Sequence, residues 1–181
     1  MHFTNNKPIA IDRICQSENN GAIYASCAPG KKDPKKGYNR DLARDFDTIN
    51  KHNIDVIVCL IEDFEFGHLS MEAYPQYLAR YNIKVIHYPI VDHNIPTNPD
   101  TFHQLVLTVC DYFAHGHNIL VHCRGGVGRT GIVCACVLIN FGWDPEDAIA
   151  LVRKNRPGAL KNRFQHDFIR NYAYLKPRRS F

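Results

Sequence analysis

No part of the 181-residue chain approaches the run of about 18 apolar residues that a membrane-spanning helix requires, so no span is expected. The first residues, MHFTNNKPIAIDRIC, hold no apolar run long enough for the core of a secretion signal. Internal repeats and low-complexity segments are also lacking. Neither sign of charge dominates: the net charge is +4, mild enough to suit an anionic substrate without demanding nucleic acid. A regular cysteine framework is missing too. The seven cysteines are odd in number and irregular in spacing, and without a secretion signal they read as reduced thiols. A cytoplasmic or nuclear location is therefore expected, with neither nucleic acid nor a stable membrane association among the partners. What remains is ordinary for a globular protein, 45% apolar and 22% charged. The length suggests one domain, large enough to bury roughly 70% of the surface its unfolded chain exposes.

Short β-rich runs alternate with helical patterns. AIYASCAP (22–29), DVIVCLI (55–61), KVIHYPIV (84–91) and NILVHC (118–123) are apolar, β-branched and too short for helices, so they read as strands. Residues 39–53 place Leu42, Phe46 and Ile49 on one helical face. MEAYPQYLARYN (71–82) reads as a helix with Pro75 near its first turn. A third helix is expected over 99–115, capped by Asn98, opened by Pro99 and stopped by Gly116. Residues 129–141 are apolar almost all round, the mark of a buried helix. Two more helices follow, from Asp144-Pro145-Glu146 to about Arg156, and from Asn162 to about Leu175. Alternating strands and helices predict an α/β layer fold on a mixed, mostly parallel central sheet flanked by helices. Ligands of such sheets bind beyond the carboxyl ends of the strands, where the loops 123–129, 90–98 and 30–37 lie.

The loop 123–129 contains GVGRTG, a literal G-x-G-x-x-G from Gly126 to Gly131. In a dinucleotide fold this string needs a second strand about 20 residues on, ending in an acidic residue. Here another helical stretch follows Gly142, and Glu146 and Asp147 fall on it, so a nicotinamide oxidoreductase is disfavoured. The nucleotide P-loop pattern also fails: its first glycine position is Cys123 and its lysine is Arg129. A thiol site accounts for every residue. Gly125, Gly126 and Gly128 let the backbone curl so that its N–H groups form an anion nest at a helix N-terminus. A sulfur at the head of such a loop is set up as a nucleophile. Arg129 can fork two N–H bonds onto a phosphoryl group, and Thr130 can donate its hydroxyl to the departing thiolate.

HCRGGVGRTG resembles the HC-x5-R-[ST] signature of the cysteine-dependent protein tyrosine phosphatase superfamily. RPGALKNRFQHDF (156–168) is similar to the segment that follows the signature helices in dual-specificity members. YASCAPGKK and KVIHYPIVD resemble the kinase-associated phosphatase subfamily of cyclin-dependent kinase inhibitors. The likeness covers about residues 20–175. It implies a single phosphatase domain over 1–181, with a core of 20–175 and short extensions. It also implies a metal-independent reaction without cofactors, and a phosphorylated protein as partner, a protein kinase among the candidates.

Expulsion of an alkoxide or phenoxide needs a proton donor. Asp92 ends a strand ahead of a loop punctuated by Pro96 and Pro99, and the family's acid loop falls at this position. Its rival, Asp63 in LIEDFEF, is crowded by Glu62 and Glu65 and reads as a solvated acidic turn. The Asp92-His93 pair is similar to the acid loop of phosphoinositide 3-phosphatases. Those relatives carry two lysines in the signature loop, where this chain has Arg124 and Val127. A phosphoinositide phosphatase is thus the alternative within the fold, and a catalytically weak phosphopeptide-binding module, a phosphatase that has lost turnover, the alternative from a different functional class. The expected catalytic set is Cys123, Asp92, Arg129 and Thr130. The expected phosphate-binding set is Arg124, Gly125, Gly126, Val127, Gly128, His122, His93 and Gln165, with no metal ligands.

Plainer roles compete for several residues. Gln165 either orients the hydrolytic water or lies on a helix surface. His122 either bonds the loop backbone or is a satisfied core histidine. In some relatives a cysteine at the position of Cys59 forms a reversible disulfide with the nucleophile, but a small buried hydrophobe is the preferred reading. Cys134 and Cys136 do not share a helix face and read as core. His115 and His117 lack further ligands nearby, which disfavours zinc. Lys31, Lys32, Lys35 and Lys36 read as a solvated loop, and Asn39-Arg40 as a possible border of the pocket.

Overall fold

The computed structural model describes residues 7–175. Seven strands lie among them: β1 (Asp12–Gln16), β2 (Ala22–Cys27), β3 (Lys32–Asp33), β4 (Tyr38–Asn39), β5 (Val56–Cys59), β6 (Lys84–His87) and β7 (Asn118–Cys123). The helices are α1 (Leu42–Lys51), α2 (Asp63–His68), α3 (Tyr74–Arg80), α4 (Pro99–Ala114), α5 (Gly128–Asn140), α6 (Pro145–Asn155) and α7 (Arg163–Leu175). The main sheet has the order β1-β2-β7-β5-β6, parallel except for the antiparallel edge strand β1. β3 and β4 form a separate two-stranded hairpin around a 3-10 turn at Pro34–Lys36.

The alternation of side chains along a strand splits the core in two. Val56, Val58, Ile119 and Val121 face α4, α5, α6 and α7, while Ile57, Cys59 and Leu120 face Phe46, Ile49, Tyr74 and Leu78 of α1 and α3. β7 runs between β2 and β5, so its carboxyl end, where Cys123 lies, is at the centre of the sheet. α5 leaves that end directly and is buried from Arg129 to Ile139, which fixes the loop between strand and helix from both sides.

The expected helix termini hold where a cap marks them. The Asn98 side chain accepts from the N–H groups of Asp100 and Thr101, and that of Asp144 from Glu146. The strands over 22–29, 55–61 and 84–91 are shorter than expected. The chain beyond them still bonds to its neighbours (Leu60 N to His122 O, 3.0 Å; Ile90 N to Leu60 O, 3.1 Å), but irregularly, as it turns toward the cavity above the sheet. The helix over 39–53 is confined to 42–51 by the Asp41 cap, because Tyr38 and Asn39 belong to the hairpin. Structure also extends below residue 20: β1 lies on β2, and Ile14 is buried against the core.

Candidate active site

Cys123 is the last residue of β7 and is buried. Its sulfur accepts from the Gly126 N–H at 3.2 Å, the first turn of a loop that curls back over the thiol. Gly126 has φ +68°, and a Cβ there would come within 2.0 Å of the Ser26 carbonyl oxygen, so only glycine fits. A Cβ on Gly128 would press against the Gln165 side-chain amide at 2.9 Å. Gly125, Val127, Gly128, Arg124, Cys123, Arg129, Asp92, His93 and Gln165 line one cavity of about 410 Å³. Nine of the twelve residues expected at the site thus share a wall.

The other three behave differently. Gly126 is the hinge beneath the thiol and contributes its N–H to the sulfur. Thr130 is buried and its hydroxyl has no hydrogen-bond partner among the described residues, so the expected bond to Cys123 is not made here. His122 is a correction: it does not line the cavity. It precedes Cys123 in a strand, so its side chain falls on the opposite face of the sheet, where Nε2 meets the Tyr74 hydroxyl at 2.7 Å. Burial presses its pKa down to about 3, so the imidazole is neutral.

Arg129 is 1% exposed, an unusual burial for a guanidinium. Its NH1 donates to Glu65 Oε2 (2.6 Å), Ile90 O (2.9 Å) and Leu60 O (3.3 Å). Its NH2 donates to Glu65 Oε1 (3.1 Å) and Asp92 Oδ1 (2.7 Å). Burial opposes the charge, but the hydrogen bond to Glu65 and the nearby Cys123 and Asp92 outweigh it and push the pKa above the ordinary arginine value. Nε is buried and unpartnered among the described residues, which leaves a donor for a ligand. Asp92 is held between the two arginines of the loop, with Arg124 NH1 3.8 Å from its other oxygen. Arg124 itself is turned to Asp33 of β3 at 2.7 Å, and that hydrogen bond holds the Asp33 carboxyl below its usual pKa.

Glu65 is the residue that sequence reasoning missed, and the solvated acidic turn is corrected with it. Residues 63–68 are helical, and Glu65 is 3% exposed. Its Oε2 also accepts from Glu62 N at 2.9 Å, so it closes the helix start and clamps Arg129 with one carboxylate. The E-x-x-E spacing of Glu62 and Glu65 was the available signal for a helix start. Asp63 stays in solvent, 92% exposed at the side chain.

Lys31 is a second correction: it is buried at 3% exposure and lines the cavity, whereas Lys32, Lys35 and Lys36 are exposed as expected. Its ammonium donates to the Arg124 carbonyl (3.0 Å) and sits 3.6 Å over the Tyr38 ring. Burial lowers its pKa, against the opposing pull of Cys27 and Cys123. Tyr38, rather than Asn39 or Arg40, borders the pocket. Arg40 is turned inward and pairs with Asp45 through two hydrogen bonds (2.7 and 2.6 Å). Gln165 is 1% exposed and faces the cavity, not the surface. Cys59 packs with Ile57 and Ile61 on the far face of the sheet, and burial pushes its thiol up to about 12, as suits a small hydrophobe. All seven cysteines are free thiols.

Comparison with known proteins adds four findings. Residues 38–169 match the family model described as "PTP-SAK: Swiss Army Knife protein, DSP-PTPase phosphatase domain". Cyclin-dependent kinase inhibitor 3 of Rattus norvegicus is 28% identical over 187 residues, taking in 96% of this chain and 85% of that protein. A putative tyrosine phosphatase of Invertebrate iridescent virus 3 is 34% identical over 93 residues, 48% of this chain but only 39% of its own length. Among solved structures, kinase associated phosphatase with its catalytic-site cysteine replaced by serine shares the fold. Its TM-score is 0.83 at 22% identity, over 93% of this chain and 96% of that one.

Proposed function

Because the chain belongs to the dual-specificity protein tyrosine phosphatase family, we propose that it hydrolyses phosphate monoesters of proteins, on tyrosine, serine or threonine, through a cysteinyl-phosphate. The observation that carries this reading is the meeting, in one cavity, of a thiol under a curled amide loop, a buried arginine and a carboxylate 2.7 Å from it.

In this reading the Cys123 sulfur attacks phosphorus, and the bond to the leaving oxygen breaks. The loop N–H groups and the Arg129 Nε and NH2 donors hold the three equatorial oxygens, the positions where charge is densest in the transition state. As the phosphoryl group takes over the NH2 donor, Asp92 is released, takes up a proton from solvent and passes it to the leaving oxygen. Asp92 then accepts a proton from the water that cleaves the cysteinyl-phosphate, with the Gln165 side chain beside Gly128 to orient that water. Thr130 donates to the departing thiolate once the loop closes on its ligand. His93, exposed at the rim, contacts the substrate outside the phosphoryl group. A phosphorylated protein is the substrate, and the name of the rat relative makes a protein kinase the first candidate.

The phosphoinositide alternative loses support from Arg124. That side chain lines the cavity but is paired with Asp33 at 2.7 Å, so its charge is already partly met before a polyphosphorylated headgroup could use it.

The test is turnover of an aryl phosphate by purified protein in the presence of a chelator. Activity is expected for the wild type and its loss for Cys123→Ser; a serine variant with wild-type turnover would overturn the mechanism. A kcat/KM comparison of phosphotyrosine, phosphothreonine and phosphoinositide substrates then ranks the substrate classes.

A further inference from the structure

The signature supplies a nucleophile and an arginine, but it does not explain what fixes the direction of the loop amides. In a trans peptide the C=O and the N–H that follows it point in opposite directions, so a donor that grips a carbonyl also fixes the direction of the next N–H. The described residues contain no cis peptide. Three carbonyls of the loop are gripped in this way. Arg124 O accepts from the Lys31 ammonium at 3.0 Å and from Ala28 N at 3.4 Å. Gly126 O accepts from Arg156 Nε at 2.9 Å. Val127 O accepts from Leu160 N at 3.3 Å. The N–H groups whose direction is fixed in this way are those of Gly125, Val127 and Gly128, all three on residues that line the cavity.

Two of these grips come from cations distant in sequence. Lys31 lies 93 residues from Arg124, on the segment that leaves β2, and its ammonium is steadied by the Tyr38 ring. Arg156 caps α6, 30 residues beyond Gly126, and its NH1 is anchored on Asp12 of β1 at 2.7 Å. A hydrogen bond from a charged donor is roughly twice as strong as a neutral one, so these two hold their peptides more firmly than Leu160 N holds the third. Each cation is also fixed by a second contact, and neither relies on the ligand for its position.

We propose that Lys31 and Arg156 are positioning residues of the phosphate loop, each fixing one peptide so that its N–H points at the bound oxyanion. The proposal rests on the phosphatase reading only for the identity of the ligand. The loop geometry can be probed with inorganic tungstate by calorimetry, without any turnover.

Lys31→Met and Arg156→Met are expected to weaken tungstate binding by roughly tenfold or more, the scale of a lost hydrogen bond to a charged group. KM for an aryl phosphate should rise in parallel. Lys31→Arg, which keeps a charged donor, should restore most of the affinity. Asp12→Asn removes the ion pair that anchors Arg156 but leaves its donor to Gly126, so it should weaken tungstate binding less than Arg156→Met does. Wild-type tungstate binding by both methionine variants would overturn the proposal. So would equal weakening of tungstate binding by Arg156→Lys, which keeps a charged donor, and Arg156→Met, a result that would reduce Arg156 to a support of the fold. If Lys31→Met does not fold, the comparison of the two Arg156 variants still decides. If the wild type binds tungstate but turns over no phosphoester, the functional reading fails while the positioning proposal stands.

Discussion

Arg129 is held by five hydrogen bonds that it donates to four residues, and only Asp92 among them is free to leave. Glu65 supplies two of the five and balances a charge that burial would otherwise make very costly. Removing one partner of such a pair leaves the other uncompensated. Glu65→Ala is therefore expected to destabilise the protein by about 3–5 kcal/mol, read from urea unfolding, and to depress kcat/KM as Arg129 loses its orientation. Asp92 makes a different prediction because its partner is released during the reaction. Asp92→Ala should lower kcat by about 10² or more, and the loss should be larger for alkyl than for nitrophenyl phosphates, since poorer leaving groups need the proton more. Equal losses on both substrates would move the acid role elsewhere.

At the scale of elements, the strand–loop–helix unit of β7 and α5 was legible because each of its requirements is local. NILVHC is apolar and β-branched, the glycines follow at once, and the next helix is apolar on every side. α4 and α6 were legible for the same reason, with Asn98 and Asp144 as caps followed by proline. What escaped reading depends on partners distant in the chain. Glu65 meets Arg129 across 64 residues and Lys31 meets Arg124 across 93; the E-x-x-E spacing marks a helix start at Glu65, but nothing local announces the buried partner of either residue. β1 carries one strongly buried residue, Ile14, too weak a pattern to announce a strand. His122 was expected to bond the loop backbone, and it meets that backbone at Cys123, but from the opposite face of the strand and not from the pocket. The loop yields its own prediction. Gly126→Ala would drive a Cβ into the Ser26 carbonyl and strain a positive φ, so it should abolish tungstate binding and lower the melting temperature. An alanine variant that binds tungstate normally would show that the loop reaches its shape by another route.

For the molecule as a whole, the neutral His122 makes stability depend on pH. Its pKa is about 3 when folded and about 6.5 when exposed, so between these values the unfolded chain binds the proton and the folded one does not. The contribution of this residue is fully present above pH 6.5 and is lost as pH falls toward 3, at up to about 1.4 kcal/mol per pH unit. Urea unfolding midpoints measured across that range should fall with acidification, and His122→Gln should flatten the dependence; an unchanged slope would assign it to the carboxylates alone. The sheet order also governs how the site comes into being. β7 pairs with β2 on one side and β5 on the other, and neither is its neighbour in sequence. Contacts between segments so far apart close slowly, because chain entropy must be lost before any pairing compensates for it. The nucleophile, its amide cradle and the clamp on Arg129 draw on both sides of that central strand. No early, locally folded fragment can hold them together, so catalytic activity should return only with the last phase of refolding after dilution from denaturant.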